Sequence, residues 1–422
     1  MRNRKALCLL CAFTMLAATG CSEEPIINTQ TEQVEISFSW WGNDKRNIYT
    51  IKAIEEFEEL YPNIKVDCDY SEWSGYETRS KIRMISNTES DVMQINYVWL
   101  SQYSPDGSGY YDLEKLSDTI DFSNFDEDIL EYGRQNGVLN AVPIAMNTET
   151  VFINKTVYDS YGLDIPQTWE DLFSAAQVMN GEVYPLATQD KAAFLCIMAY
   201  AEQQSGKSFF DEDNNLEFGA EEIALMLDFY CSLVNNNVTP QWEYFNRLNM
   251  ADGTYGGTVA WVSDAESYCG IAIENGYEMV AADYLTVNPS DTISGWYAKP
   301  ATMYAISKNT DHPEEAALLF NYLLNSSEMA ELQGIEKGIP LSKSALSYLE
   351  DSDLLTGIQY EAYLRMEENM DSLKHISPYT EKNDILDLFK ESFNEVLYEK
   401  NDVYLEAESL YEAIKDTLGN DS

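Results

Sequence analysis

Trp40 and Trp41 stand side by side ahead of Gly42, Asn43, Asp44 and Lys45. This is the chemistry of a sugar platform: an indole face stacks on the apolar C–H face of a pyranose, while amide, carboxylate and ammonium groups bond its hydroxyls. Asn96, Tyr97 and Trp99 form a second group of the same kind. Each aromatic also has an ordinary structural reading. Trp40 lies on the apolar side of an alternating stretch, so core packing and ligand contact are balanced for it. Trp41 breaks the alternation and points to ligand. Trp169, in the first turn of a helix, is assigned to packing.

The surrounding elements place both groups at one kind of edge. Val34, Ile36, Phe38 and Trp40 alternate with Glu35, Ser37 and Ser39, the period of a strand; Ile51, Ile54, Phe57 and Tyr61 follow at helical spacing. Residues 64–70 alternate again, 74–85 read as a helix, and 92–95 are a continuously apolar strand. Residues 34–96 are therefore βαβαβ with parallel strands, and ligands collect beyond the carboxyl ends of such strands. Further strands are expected within 141–154, near 257–262 and at 303–307, with helices between them and a helical pattern from 342 to 418.

Residues 1–20 read as an export signal. Arg2, Arg4 and Lys5 precede an apolar run, and Leu16-Ala17-Ala18-Thr19-Gly20-Cys21 ends it with small residues before a cysteine. That end resembles the lipobox of bacterial lipoproteins, which implies that Cys21 is lipidated and that residues 21–33 are a flexible tether. No later apolar run approaches the roughly 20 residues that span a bilayer. Losing the three basic residues of the signal takes the formal charge from −46 to −49. Such a surface repels nucleic acid and anionic headgroups, and disfavours polyanionic ligands unless a local basic pocket exists.

Cys68, Cys196, Cys231 and Cys269 lack metal-ligand spacing, and no disulfide is expected; a buried thiol suits Cys68. Asp211, Asp213, Asn215 and Glu222 fit positions of a calcium loop, but Leu216 stands where its sharp turn needs glycine, so a turn before a helix is the better reading. No metal or other cofactor is expected. His312 and His375 are the only histidines, in a helix-opening turn and a helical tail, which argues against a Ser-His-Asp arrangement.

Several passages in this order carry a family resemblance: residues 54–64, 91–99, 142–155, 166–172, 257–264, 312–324 and Gly338-Ile339-Pro340. The chain resembles extracellular solute-binding proteins of bacterial ABC importers, in the carbohydrate-binding family that includes the maltose-binding protein. The resemblance implies an α/β, two-lobed periplasmic-binding-protein-like fold, each lobe a mostly parallel sheet flanked by helices, with a helical C-terminal portion. It implies lobes of residues 34–142 plus 300–336 and 147–298 plus 339–422, joined by crossings near 143–147, 296–300 and 338–340. Carried over position by position, it implies ligand contacts from Trp40, Trp41, Asn43, Asp44 and Lys45, and from Asn96, Tyr97 and Trp99. In the second lobe it implies Gln189 and Asp190, then Trp261, Ser263 and Asp264, then Trp296 and Tyr297. Where many members have a Gly-Ser-Trp run, this chain has its tryptophan earlier, at Trp261.

The function implied is capture of a carbohydrate, an oligosaccharide in preference to a monosaccharide, by a monomer anchored through its lipid on the extracellular face of the membrane. Closure over the sugar would then present it to ABC permease subunits, without catalysis. Two alternatives stand beside this: a secreted glycan-degrading enzyme using two carboxylates, and a surface lipoprotein that holds glycan without transport.

Overall fold

The computed structural model describes residues 33–211, 214–290, 295–377, 379–380 and 382–419; the expected signal, the lipidated Cys21 and nearly all of the tether lie outside them. Strands β1 (Val34–Trp41), β2 (Ile64–Ser71) and β3 (Val92–Ile95) alternate with helices α1 (Asp44–Leu60) and α2 (Trp73–Ser86), and α3 (Val98–Tyr103) follows β3. β1 lies between β2 and β3 and is parallel to both. The alternation read in β1 reaches the fold directly: Ile36, Phe38 and Trp40 are buried in one core with Ala53, Ile54 and Phe57 of α1.

After short helix α4 (Glu127–Glu131) and the hairpin β4 (Arg134–Gln135) and β5 (Val138–Leu139), the chain enters β6 (Ala141–Asn154). This 14-residue strand fills the whole of the 141–154 stretch in which the sequence pointed to strand. Val142 and Ile144 belong to the core of β1, whereas Met146, Val151, Phe152 and Ile153 belong to a second, larger core. Helices α5 (Lys155–Ser160), α6 (Trp169–Met179), α7 (Asp190–Ser205), α8 (Ala220–Asn235) and α9 (Ala265–Glu274) surround that second core, with strands β7 (Gly257–Trp261) and β8 (Met279–Ala281). Helix α6 begins where sequence places it: Thr168 accepts from the Asp171 amide and Asp171 answers the Thr168 amide.

The return crossing is β9 (Tyr297–Ile306), antiparallel to β6 over residues 141–148 and to β3 over 92–95. Helices α10 (Pro313–Asn325) and α11 (Ser327–Gln333) pack on the first core. The third crossing follows, where Gly338 has φ +99° and a Cβ there would meet the Ala145 Cβ at 2.6 Å. The chain ends in α12 (Lys343–Asp351), α13 (Ile358–Asn369), strand β10 (Lys374–His375), α14 (Asn383–Leu397) and α15 (Val403–Gly419).

The two-lobed α/β fold is as expected, with two corrections. The longer parallel pattern belongs to β1–β3; in the second lobe β6 pairs antiparallel with β7 and β8, and among the described residues parallel pairing is short, β10 with the start of β9 and bridges such as Ala187 with Thr258. The cause is that β6 enters from the other lobe as a shared crossing. Helix α12, expected in the second lobe, instead packs Ala345 and Leu349 against Ala330 of α11, and Lys343 pairs with Asp126 at 2.7 Å. Cys68 is half-buried, the other three described cysteines are buried, and all four are free thiols. Glu222 of the rejected calcium loop caps α8 and pairs with Lys207 at 2.6 Å; Asp213 lies outside the described residues.

Candidate ligand-binding cleft

Strands β1 and β2 run in register up to Trp41 opposite Ser71, so Trp41 ends level with the turn that delivers Trp73 as the first residue of α2. Trp73 stacks on Trp99 with centroids 5.9 Å apart, Trp99 stacks on Tyr76 at 6.0 Å, and Trp41 meets Trp73 edge-on at 5.0 Å. Trp41 is half-buried and Trp73 is 38% exposed, while Trp99 and Tyr76 are buried behind them. Trp41 and Trp73 therefore offer the open surface, and Trp99 is its backing, contrary to the direct contact expected of it. Trp73 was not among the sequence candidates, although the strand-edge rule applied to β2 points to it.

Trp40 faces the opposite way. It is fully buried between Phe38 and Tyr70, at 4.9 and 4.8 Å, and donates its indole N–H to Asn47 at 3.0 Å. The alternation of β1 turns it into the core, and its ring leaves no surface open to a ligand. Asn43 caps α1, accepting the Arg46 amide at 2.9 Å, and exposed Asp44 opens the helix next to its positive end. Exposed Lys45 is ion-paired with Glu336, and Arg46 donates to the Glu336 carbonyl at 2.6 Å, tying this loop to the third crossing. Gly42 permits the tight turn: a Cβ there would lie 2.6 Å from the Arg46 Cβ.

Across the cleft, Asn147 of β6 donates to the Ser263 hydroxyl at 3.0 Å and accepts the Ser263 amide at 3.2 Å, which fixes the turn after β7. Lys299 of β9 places its ammonium 4.4 Å from the centre of the Trp261 ring, over the face a sugar would use. Burial raises the Asp264 carboxyl above its ordinary range, opposed by the charges of Arg46 from the first lobe and Arg247 from the second. The Arg247 guanidinium lies 5.4 Å over the Tyr268 ring. Half-buried Gln189 precedes α7, and Asp190 is held by Lys390 of α14 at 2.5 Å.

A cavity of about 630 Å³ lies beside β10, with Tyr97, Tyr297 and His375 among its walls. Half-buried Asn96 turns the chain into it by accepting the Val98 amide at 3.0 Å. Tyr297 donates its hydroxyl to buried Glu202, which also accepts the Phe209 amide at 2.9 Å; burial raises both groups. Its neighbour Trp296 is buried, stacks on Trp169 at 6.1 Å and donates to the Leu285 carbonyl at 3.0 Å. Trp296, just before β9, is thus core, held there by the Trp169 ring and by its own N–H bond. His375 stacks on Tyr132 at 4.0 Å, joining the C-terminal portion to the first lobe, and its burial lowers its pKa.

The family model for bacterial extracellular solute-binding proteins matches residues 44–330. The chain belongs to that family. This solute-binding protein is 30% identical to a periplasmic oligogalacturonide-binding protein from Yersinia enterocolitica in complex with saturated digalacturonic acid, over 92% of this chain and 99% of that one, with a TM-score of 0.81. It is 28% identical to a periplasmic solute-binding protein from Pectobacterium atrosepticum, over 92% and 99% of the two chains, with a TM-score of 0.85. The melibiose/raffinose/stachyose-binding protein MelE of Bacillus subtilis is 23% identical over 192 residues, and the match spans 44% of each chain.

In this solute-binding protein Asn147, Ser263 and Lys299 come together in the second lobe, Asp264 beside them feels the charge of Arg46 from the first, and Tyr97 and Tyr297 line the neighbouring cavity. Arg46, Arg247, Lys299, Lys374 and His375 were not foreseen. Arg46 sits beside named Lys45 and was within reach of the same reasoning. The others arrive from segments that no local pattern links to the cleft. Among the described residues, no group of three or more His, Cys, Asp or Glu side chains could hold a metal ion, and no helix is long and apolar enough to cross a membrane.

Proposed function

We propose that this solute-binding protein captures an oligosaccharide between its two lobes and delivers it, as a lipid-anchored monomer on the extracellular face, to ABC permease subunits. Cys21 is the anchor. The lobes are residues 34–142 with 300–336, and 147–298 with 339–422, except that α12 goes with the first. The observation that carries the reading is an open Trp41–Trp73 surface in the first lobe together with a polar turn, Ser263–Asp264, in the second, braced by Asn147 and within the field of Arg46. Rings supply stacking, and carboxylate, amide and guanidinium groups supply hydroxyl partners. Sugars named for MelE and for the Yersinia protein are in keeping with it. Arg46 and Asp264 stand on opposite lobes, so a ligand touching both favours the closed form, and closure follows as a population shift.

The test is calorimetric titration and thermal unfolding of the mature protein with a panel of oligosaccharides. A melting temperature that climbs with the logarithm of ligand concentration is expected for at least one saccharide class. The same incubations should release no reducing ends; release would replace this reading with a glycan-degrading one.

A further inference from the structure

We infer that the cavity beside β10 is a second sugar subsite, built for a neutral, hydroxyl-rich pyranose unit and closed to a uronate. This rests on the carbohydrate reading above and names its ligand class. The cavity falls within the roughly 300–1,000 Å³ typical of small-molecule sites. Three rings come to it from separate segments: Tyr97 after β3, Tyr297 on β9 and His375 on β10. Its polar walls are Ser208, Asn214, Thr380, Asp211 and Glu217, with Lys374 as the cation among them.

The charges decide the class. Lys374 donates to the Ser208 hydroxyl at 2.8 Å, and Glu217 accepts the Ser208 amide at 3.0 Å, so an ammonium and a carboxylate flank one serine. Asp211 adds a second carboxylate, bound to the Asn215 amide at 2.8 Å. Behind the Tyr297 wall, Glu202 is 1% exposed, and its second carboxylate oxygen has no hydrogen-bond partner among the described residues. Among the described residues of its wall, a sugar carboxylate entering here meets one lysine and an excess of carboxyl groups, inside a chain of formal charge −46. An unpaired like charge in a half-enclosed site is costly. Sugar hydroxyls, by contrast, donate to those carboxylates in strong charge-assisted bonds.

The experiment titrates the full mature protein with two probes of the same ring and linkage, digalacturonic acid and neutral galactobiose, and with raffinose and stachyose. The expected result is heat of binding with a neutral probe and at least about tenfold weaker binding of digalacturonic acid. Glu217→Gln, which keeps the size of the side chain, should narrow that ratio by about fivefold, because neutral probes lose a charge-assisted bond while digalacturonic acid loses a repulsion. Digalacturonic acid binding as tightly as the neutral probes overturns the inference and leaves the carbohydrate reading standing. An unchanged ratio in Glu217→Gln removes the cavity as its source and overturns the inference too. Folded protein that binds no saccharide overturns both.

Discussion

The rings around Trp41 all come from residues 41–103, whereas those beside β10 come from Tyr97, Tyr132, Tyr297 and His375. The first group is the product of one βαβαβ unit, finished before the chain leaves the first lobe. The second exists only once β9 has been laid beside β3, β10 beside the start of β9, and His375 has stacked on Tyr132. One surface is therefore ready for ligand within a single lobe; the other depends on how the lobes are held together. On the proposed reading, a sugar docks on the tryptophans first and reaches the cavity as the lobes settle around it.

The largest test of this contrast uses the adjacent tryptophans. Trp40→Ala empties a filled core position and should cost about 3–5 kcal/mol in chemical denaturation. Trp41→Ala, at a half-buried edge, should cost about 1 kcal/mol. Equal losses would mean that the two indoles do not face opposite sides as described.

Lys337 lies at the third crossing, between the two regions. Its buried ammonium donates to the Tyr304 hydroxyl at 2.9 Å, and burial, with repulsion from Arg46, lowers its pKa to about 7. The unfolded chain titrates this group near 10.4. Between those values the unfolded state holds more protons, so stability from this site is lowest at and below pH 7 and rises as pH climbs from 7 towards 10. Lys337→Met lacks that rise. Wild-type stability relative to the variant should increase by about 2 kcal/mol between pH 7 and 9, read by denaturant midpoints. A difference independent of pH would show that Lys337 stays charged where it is.

Next in size come the binding variants. Trp41→Ala and Trp73→Ala should each weaken oligosaccharide binding by about 1–2 kcal/mol, roughly tenfold, with little loss of stability. Tyr297→Ala should weaken binding while also loosening the Glu202 contact, so its melting temperature should fall as well. If Trp73→Ala leaves affinity unchanged, the open surface belongs to Trp41 alone.

The same contrast explains what the sequence could tell. Strand period and helix spacing place β1, α1, β2 and β3 closely, because each is specified by neighbours within a few residues. The edge rule then finds Trp41 and, applied evenly, finds Trp73. It cannot assign Trp99, whose burial depends on Tyr76 and Trp73 stacking over it. Trp296 misled because it stands just outside the crossing strand, and only the packing of Trp169 decides that it is core. Lys299, Arg247, Lys374 and His375 were invisible because their meeting with the cleft is set by sheet order and by helices far along the chain.

The smallest prediction concerns a residue that both views claim. Asn43 was expected to bind sugar, and the structure gives its side chain to the Arg46 amide as the cap of α1. Removing a cap costs about 1 kcal/mol, so Asn43→Ala should lower stability by that much. Its effect on affinity separates the two roles. If Asn43 only caps the helix, affinity should hold, because Arg46 is also tied to the Glu336 carbonyl and keeps its place. A tenfold loss of affinity with unchanged stability would restore Asn43 to the ligand and make Trp41-Gly42-Asn43 a continuous binding edge.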